Sequence, residues 1–534
     1  METRSVLDDL VHQFSDPLSF LRELVQNSID AGTGEVEIAT RFEPKAGDFG
    51  QGTLIIEVDD WGEGMTREII ETKLTRLFSS AKDDDLTKIG RFGIGFVSVF
   101  AIAPQLVIVE TGRAGESWRV VFLEDRSFEL YALDEPVEGT HIRIIKEIGR
   151  GEAEALRGRA RNVVSYWCKH ARIPVIFEGT SVSAPFDIDS LCKLTHEADG
   201  TRLVIGFVTD EKGLMGYYNQ GLTLKEQDHA PWPYISCKID SRYLEHTLTR
   251  DQILEDKNYH KALKLMDQFA TVELPERLVA AIEQAAKDTA HPERHDQLCG
   301  LLVNYLGRNE FKRAWRQRAL FPKLNNEAVS FADCRAAARK NKLCFASQPG
   351  PILDAVASDH LVLRGAAGSG AWRLVRALLE FKYNIHPLEQ RFGWFSSDAV
   401  NDCDPRLLSE LHVLLQQAGL RSGVPRYYDL SGALVPAKFC NHPGLLVGEL
   451  DAVLNADDLQ APRPNFFNGK AVLLVNTNDK DVRALAAAID EPEWAAAMLL
   501  ELILESQNDA RHAQFMETVL TYAVGRRAHR LGQS

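Results

Sequence analysis

The chain has 534 residues, 45% of them hydrophobic and 26% charged, with a formal net charge of -15, enough for roughly two to four domains of ordinary soluble composition. No apolar run reaches the ~18 residues that a membrane span needs, and the acidic balance argues against a phosphate backbone as the main partner. The start, Met-Glu-Thr-Arg-Ser-Val-Leu-Asp-Asp, lacks the basic and apolar stretches of a signal peptide, so a cytoplasmic protein is expected, and the eight cysteines include no C-x-x-C pair to suggest a disulfide framework or a zinc knuckle.

The first predicted helix carries RELVQNSIDA, Arg22 to Ala31. Steps of four and three residues bring Glu23, Asn27 and Asp30 onto one face, while Leu18, Leu21, Val25 and Ile29 form an apolar stripe able to pack on a sheet. Such a helix presents a carboxylate and an amide to something bound above it. Strand-like runs follow at Gly52 to Val58, Gln105 to Thr111, Ser117 to Phe122 and Gly139 to Ile145, so residues 1 to about 182 read as an α/β layer domain.

Three further patterns interrupt that domain. The strand TLIIEVDD runs into DWGEGM, giving Asp60-x-Gly62-x-Gly64-Met65: an acid at a strand end followed by glycines lets backbone approach a flat ring while the acid accepts from an exocyclic amine. GRFGIGF, Gly90 to Phe96, precedes an apolar run, and glycines before a helix leave N–H groups free to cradle phosphates. Lys82, in LFSSAKDDD, lies between these two. In EGTHIRI, Thr140 opens a strand and can reach the Asp60 carboxylate directly or through water.

A second region, 183 to 388, contains Leu203 to Thr209, Leu214 to Leu222 and Ile235 to Ile239, then helical patterns from Lys257 through Lys287 and a βαβ-like stretch from Leu343 to Phe381. Within the last, RGAAGSGAW (Arg364 to Trp372) is glycine-rich but lacks the Lys-Ser/Thr of a phosphate loop and reads as a turn before a helix. A third region, 389 to 534, holds a strand at Ala471 to Asn476, an almost wholly apolar helix at Trp494 to Leu504 and an amphipathic one at Ala510 to Tyr522. A helix apolar all round must be buried, and a partner chain is a natural cover. The basic segments Arg308 to Arg318 and Arg526 to Arg530 read as solvated helix faces.

Together, RELVQNSIDA, DDWGEGM, GRFGIGF and GTHIRI resemble the nucleotide boxes of the GHKL ATPase superfamily, and FLRELVQNSIDA with the S-A-K before the glycine lid is similar to its 90-kDa heat-shock protein family. LTRDQILEDK (Leu248 to Lys257) resembles that family's middle-domain catalytic loop, and VLLVNTNDKDVRAL with WAAAMLLELILES resembles its C-terminal dimerisation domain. The resemblance implies an α/β (α+β) chain with an N-terminal Bergerat-type sandwich at 1–182, a middle domain at 183–388 and a dimerisation domain at 389–534.

It also implies roles. Glu23 is the general base, Asn27 the magnesium ligand, and Asp60 the adenine-reading acid with Gly62, Gly64, Met65 and Thr140 around it. Asp30 lines the pocket near the ribose or the metal's water shell. Gly90, Phe92, Gly93, Ile94, Gly95 and Phe96 form the phosphate loop, and Arg250, with Lys82, meets the γ-phosphate. The implied cofactors are ATP and Mg2+, and the implied partners are protein clients and a second copy of the chain. Departures are Leu254 where the family carries a polar residue, the short connection between the first two domains, and the tail RLGQS, which offers no acidic peptide. Two alternatives stay open: a DNA-associated or defence clamp of the mismatch-repair or MORC type, and a scaffold that binds ATP without turnover.

Overall fold

The computed structural model describes residues 16–76, 78, 94–247, 252–383, 385–396, 403–420, 422–431, 439–442, 451–455, 472–487, 490–506 and 512–532. It divides into two compact units, 1–278 and 279–534. Helices and strands alternate throughout, giving the mixed α/β class expected.

The first unit opens with a turn at Pro17–Ser19 and helix α1, Phe20–Asp30. An eight-stranded sheet follows, made of β1 (Val36–Lys45), β2 (Asp48–Asp60), β3 (Leu106–Arg113), β4 (Glu116–Leu123), β5 (Phe128–Ala132), β6 (Gly139–Gly149), β7 (Val175–Phe177) and β8 (Thr180–Ser181), in the order β5-β4-β3-β6-β2-β1-β7-β8. Only the β1–β7 pair is parallel. Helix α2, Arg150–Cys168, packs on α1 and on β1, β2 and β6, and the core between helices and sheet joins Leu21, Leu24 and Val25 to Ile56, Val58, Val109, Ile144 and Val164. The four strands expected in this domain are all found, each a little longer. β1 and β5 escaped the pattern reading because only Val36 and Ile38 of β1 are fully buried and β5 has no fully buried residue, so neither shows the alternation of a half-buried strand.

The same unit continues with a five-stranded sheet: β9 (Lys193–Ala198), β10 (Thr201–Phe207), β11 (Met215–Asn219), β12 (Leu222–Gln227) and β13 (Ile235–Ser241), ordered β12-β11-β13-β10-β9. The run expected at Leu214 to Leu222 is two strands, because Gln220 and Gly221 adopt positive φ and turn the chain. Helix α3, Lys257–Gln268, starts on Asp256, whose side chain caps the Asn258 and Tyr259 amides.

In the second unit a parallel sheet of Leu343–Ala346, Leu361–Arg364 and His386–Pro387 realises the βαβ stretch. Ser369 caps the helix Gly370–Leu378, so RGAAGSGAW is a turn before a helix. The apolar helix Pro492–Ser506 is covered within its own unit: Leu499, Leu500 and Ile503 are fully buried in one cluster with Leu407 and Leu411 of Pro405–Gln417 and Val519 of His512–Gly532. Its composition therefore needs no partner chain to account for it. Within the basic segments, Arg318 pairs with Glu283 at 2.7 Å, Arg526 with Glu410 at 2.6 Å and Arg530 with Glu493 at 2.9 Å, while the Arg526 and Arg530 side chains stay substantially exposed.

Candidate nucleotide site

Strand periodicity builds the floor of the site. On β2, Leu54, Ile56, Val58 and Asp60 are buried in alternation, so the final carboxylate lies on the face that meets α1. The same period places Thr140 ahead of Ile142 and Ile144 on β6, and Thr111 after Val107 and Val109 on β3. Register then aligns the three ends, Asp60 opposite Thr140 and Thr140 opposite Thr111. Asp60, Thr111 and Thr140 form one buried polar layer at the end of an apolar one.

Each group in the layer is tied by hydrogen bonds. Asp60 Oδ2 accepts from the Ser28 hydroxyl at 2.8 Å, and Oδ1 from the Gly62 amide at 3.0 Å. Ionised carboxylate offers about four acceptor positions, so capacity remains for an amine. Thr111 Oγ1 receives the Met65 amide at 2.9 Å and lies 3.0 Å from both the Gly139 carbonyl and Thr140 Oγ1. Its one proton can satisfy only one of these; if it goes to Gly139, Thr140 donates to Thr111. Thr140 therefore faces Thr111, and the side chain on Asp60 is Ser28. Neither Ser28 nor Thr111 stands out in the sequence, although a serine four residues after Leu24, in step with the apolar side of the helix and with no capping role, is a usable signal.

Glycines set the close approaches. Gly139 has φ +75°, and a Cβ there would lie 2.1 Å from the Asp60 carbonyl oxygen; at Gly64, φ +63°, it would lie 2.1 Å from that of Gly112. At Gly62 it would meet the Ala31 carbonyl at 2.7 Å, and the neighbouring Glu63 amide donates to that same carbonyl at 2.9 Å. The loop is thus stitched to the end of α1.

Helix α1 supplies the wall. Glu23 is buried, 4% exposed, whereas Asn27 one turn later is exposed; the face expected to be uniformly polar runs from interior to solvent. Asp30, also exposed, accepts from Gln26 at 3.2 Å and from Gln220 of the second sheet region at 3.1 Å, and is not joined to the Asp60 layer. Gly95 and Ile94 lie in a short helix, Ile94–Val97, where the Gly95 carbonyl accepts from Ser98. The Phe96 ring is in the core, its centroid 5.3 Å from that of Phe122. Lys82, Gly90, Phe92, Gly93 and Arg250 lie outside the described residues.

The stem of the loop that carries Arg250 is described. His246 bridges to Ile253, and the Thr247 amide donates to the Gln252 carbonyl at 2.9 Å, closing the loop at its base. From there His246 Nε2 contacts the Arg22 guanidinium, and the other end of that guanidinium, Nη1, lies 3.5 Å from Glu23 Oε1. Arg22 also stacks over Trp167 of α2 at 5.1 Å from the ring centre. Burial pushes the Arg22 pKa down to about 10, an effect partly opposed by Cys168, whose own thiol burial pushes up to about 12. Arg22 therefore remains charged at neutral pH and must donate.

More contacts join the two sheet regions of this unit. Lys169 pairs with Glu226 at 2.8 Å, the Thr223 hydroxyl donates to the Tyr166 carbonyl at 2.9 Å, and Lys238 Nζ lies 3.1 Å from His170 Nε2. Burial works to raise the Glu226 pKa, but hydrogen bonds from Lys169 and Tyr218 outweigh it and hold the carboxyl below its ordinary value.

Residues 17–138 match the family described as histidine kinase-, DNA gyrase B-, and HSP90-like ATPase. Similar curated proteins are the chaperone protein HtpG of Porphyromonas gingivalis, 29% identical over 31% of this chain and 26% of that protein, that of Coxiella burnetii, 29% over 35% and 33%, and that of Methylococcus capsulatus, 29% over 33% and 31%. The chain thus spans about a quarter to a third of the length of the relatives it matches.

Proposed function

We propose, from the premise that the chain is by its N-terminal region an HtpG-like member of the GHKL ATPase family, that it hydrolyses ATP slowly and uses the cycle as a chaperone-like clamp on protein clients. The observation that carries this reading is the stem of the Arg250 loop abutting Arg22, the residue before Glu23. In this reading Arg250 acts from that stem on the phosphate that Glu23 serves.

In this reading Asp60, held by Ser28 and Gly62, accepts the exocyclic amine of adenine, and Thr140 and Met65 line the ring. Asn27 suits a magnesium ion: its exposed amide makes no side-chain hydrogen bond among the described residues, and magnesium commonly takes one or two protein oxygens and completes its shell with waters and phosphates. The ion, when bound, neutralises phosphate charge. Glu23 orients and deprotonates the attacking water, its effectiveness coming from position. Arg250 and Lys82 stabilise charge at the γ-phosphate, with Gly90, Phe92, Gly93 and Gly95 as the loop around it. Asp30 is committed to Gln220 in this arrangement, and its part in the pocket belongs to another stage of the cycle. The domain limits 182 and 388, a homodimer through the C-terminal region and a cytoplasmic setting complete the proposal. Among the described residues no helix is long and apolar enough to cross a membrane.

The test is ATP turnover of the wild type, Glu23→Ala and Arg250→Ala beside nucleotide binding and sedimentation. Turnover is expected to fall by a factor on the order of 10² or more in Glu23→Ala while ATP still binds. Wild-type turnover in Glu23→Ala would remove the mechanism, and a monomer at all concentrations with and without ATP would remove the clamp.

A further inference from the structure

The second sheet region carries a cavity of about 500 Å³ that shares no residue with the Asp60 layer. Two elements wall it. On α3, Asn258, Lys261, Leu265 and Gln268 follow at steps of three, four and three residues and so lie on one face of the helix, with Lys264 beside them. The other wall is the end of the sheet, where alternation puts His196 and Ala198 on one face of β9 and register sets Thr201 of β10 opposite Ser241 of β13. A hairpin turn with positive φ at Asp199 and Gly200 closes that end and adds Asp199 to the lining.

The two walls differ in chemistry. Lys261 and Lys264 bring two ammonium groups to the helix side, and neither forms an ion pair or hydrogen bond among the described residues. In a chain of net charge -15, two such cations at one cavity keep a local positive field that the protein does not neutralise. Ammonium groups act on phosphate as point charges. On the sheet side the Thr201 and Ser241 hydroxyl oxygens lie 2.8 Å apart, so one of their two protons is spent between them and the other is left to donate, while Asp199 as carboxylate only accepts. Tyr243 stands at the rim, 41% exposed, with Arg242 over its ring at 4.9 Å from the centre and donating to its hydroxyl at 2.6 Å. An aromatic ring fixed in this way is a surface on which a ligand ring can stack. The volume falls within the ~300–1,000 Å³ of small-molecule sites. We propose that this cavity binds a small organic phosphate with a hydroxylated ring, its phosphate on Lys261 and Lys264 and its hydroxyl groups on Asp199 and the Thr201–Ser241 pair.

The experiment is calorimetry on the intact chain, with and without saturating ADP, using inorganic phosphate, glucose, glucose 6-phosphate and uridine monophosphate as probes. At least one organic phosphate is expected to bind one to one with a dissociation constant below about 1 mM and about tenfold or more tighter than inorganic phosphate, with glucose not binding; the tighter of the two tells a sugar phosphate from a nucleotide as the source. Lys261→Gln and Lys264→Gln, both at exposed positions, are each expected to weaken that binding about tenfold. Lys257→Gln, which borders only the adjoining concavity, is expected to leave it within about twofold. Asp199→Gly keeps the positive φ and removes the acceptor, and is expected to reduce the preference for the organic phosphate over inorganic phosphate about tenfold. Absence of binding below that limit overturns the proposal, as does unchanged affinity in both lysine variants. A loss in Lys257→Gln as large as theirs overturns it too, because the anion would then be held by a diffuse surface field, and so does binding that ADP abolishes, because the probe would then occupy the first-domain site. An unchanged preference in Asp199→Gly removes the hydroxyl recognition. None of these outcomes depends on ATP turnover, so the cavity and the ATPase reading stand or fall separately.

Discussion

Ser28 has one proton and two acceptors within reach, the Leu24 carbonyl at 3.0 Å and the Asp60 carboxylate at 2.8 Å. The charged oxygen is the stronger acceptor, so Ser28 is a specific partner of Asp60. Hydrogen bonds to charged groups are worth about 1.5–3 kcal/mol; Ser28→Ala is therefore expected to weaken ATP binding about tenfold by calorimetry, and an unchanged affinity would show that Asp60 does not need this bond. Gly139 tests the backbone in the same layer. With φ +75° and a Cβ that would meet the Asp60 carbonyl at 2.1 Å, Gly139→Ala is expected to destabilise the first unit by about 2 kcal/mol or more, read as a lower urea midpoint. A midpoint equal to wild type would mean that the β2 and β6 ends can separate without cost.

At the scale of elements, the contacts that dock the second sheet region on α2 include His170, 4% exposed, whose Nδ1 faces the Ala184 carbonyl at 3.0 Å and whose Nε2 faces Lys238. The ring donates from Nδ1 and accepts from the ammonium, so it is neutral. Burial lowers its pKa, with the Ala184 carbonyl opposing and Lys238 and Lys169 adding to the depression. The unfolded chain takes up a proton near pH 6.5 that the folded chain refuses until lower pH, so this stabilisation is complete above about 6.5 and is lost as pH falls toward the folded value. Urea midpoints at pH 7.5 and 5.5 are expected to differ more in wild type than in His170→Gln; equal slopes would exclude the histidine as the source. Such pairs also mark the limit of what sequence discloses. Glu23, Asp60, Gly62 and Gly64 stand out in the sequence because their spacing is local, a helical step or a strand end before a turn. Ser28 and Thr111 do not, because a hydroxyl's partner is set by the register of strands that meet only after folding. The Arg22–His246 and Asp30–Gln220 contacts, 224 and 190 residues apart, leave no periodic trace at all, and β1 and β5 expose too much of themselves to alternate.

For the whole molecule, the charge of -15 disfavours a phosphate backbone as the main partner. ATP turnover is expected to be the same with and without duplex DNA at low salt; stimulation that disappears as salt rises would favour the DNA-associated alternative. The dimer is expected from sedimentation at twice the chain mass, and because most of the helix Pro492–Ser506 is already buried in its own unit, the pairing surface is left to exposed side chains such as Met498 of that helix and Val524.

Helix α1 is about 16 Å long at 1.5 Å per residue, and the second sheet region grips it near both ends, at Arg22 through His246 and at Asp30 through Gln220. One attachment would be a swivel; two resist rolling about the helix axis. A compound screen run on a fragment ending before residue 183 would therefore measure affinities against a wall with both fixings removed, and would rank ligands for a pocket softer than the one the intact chain presents.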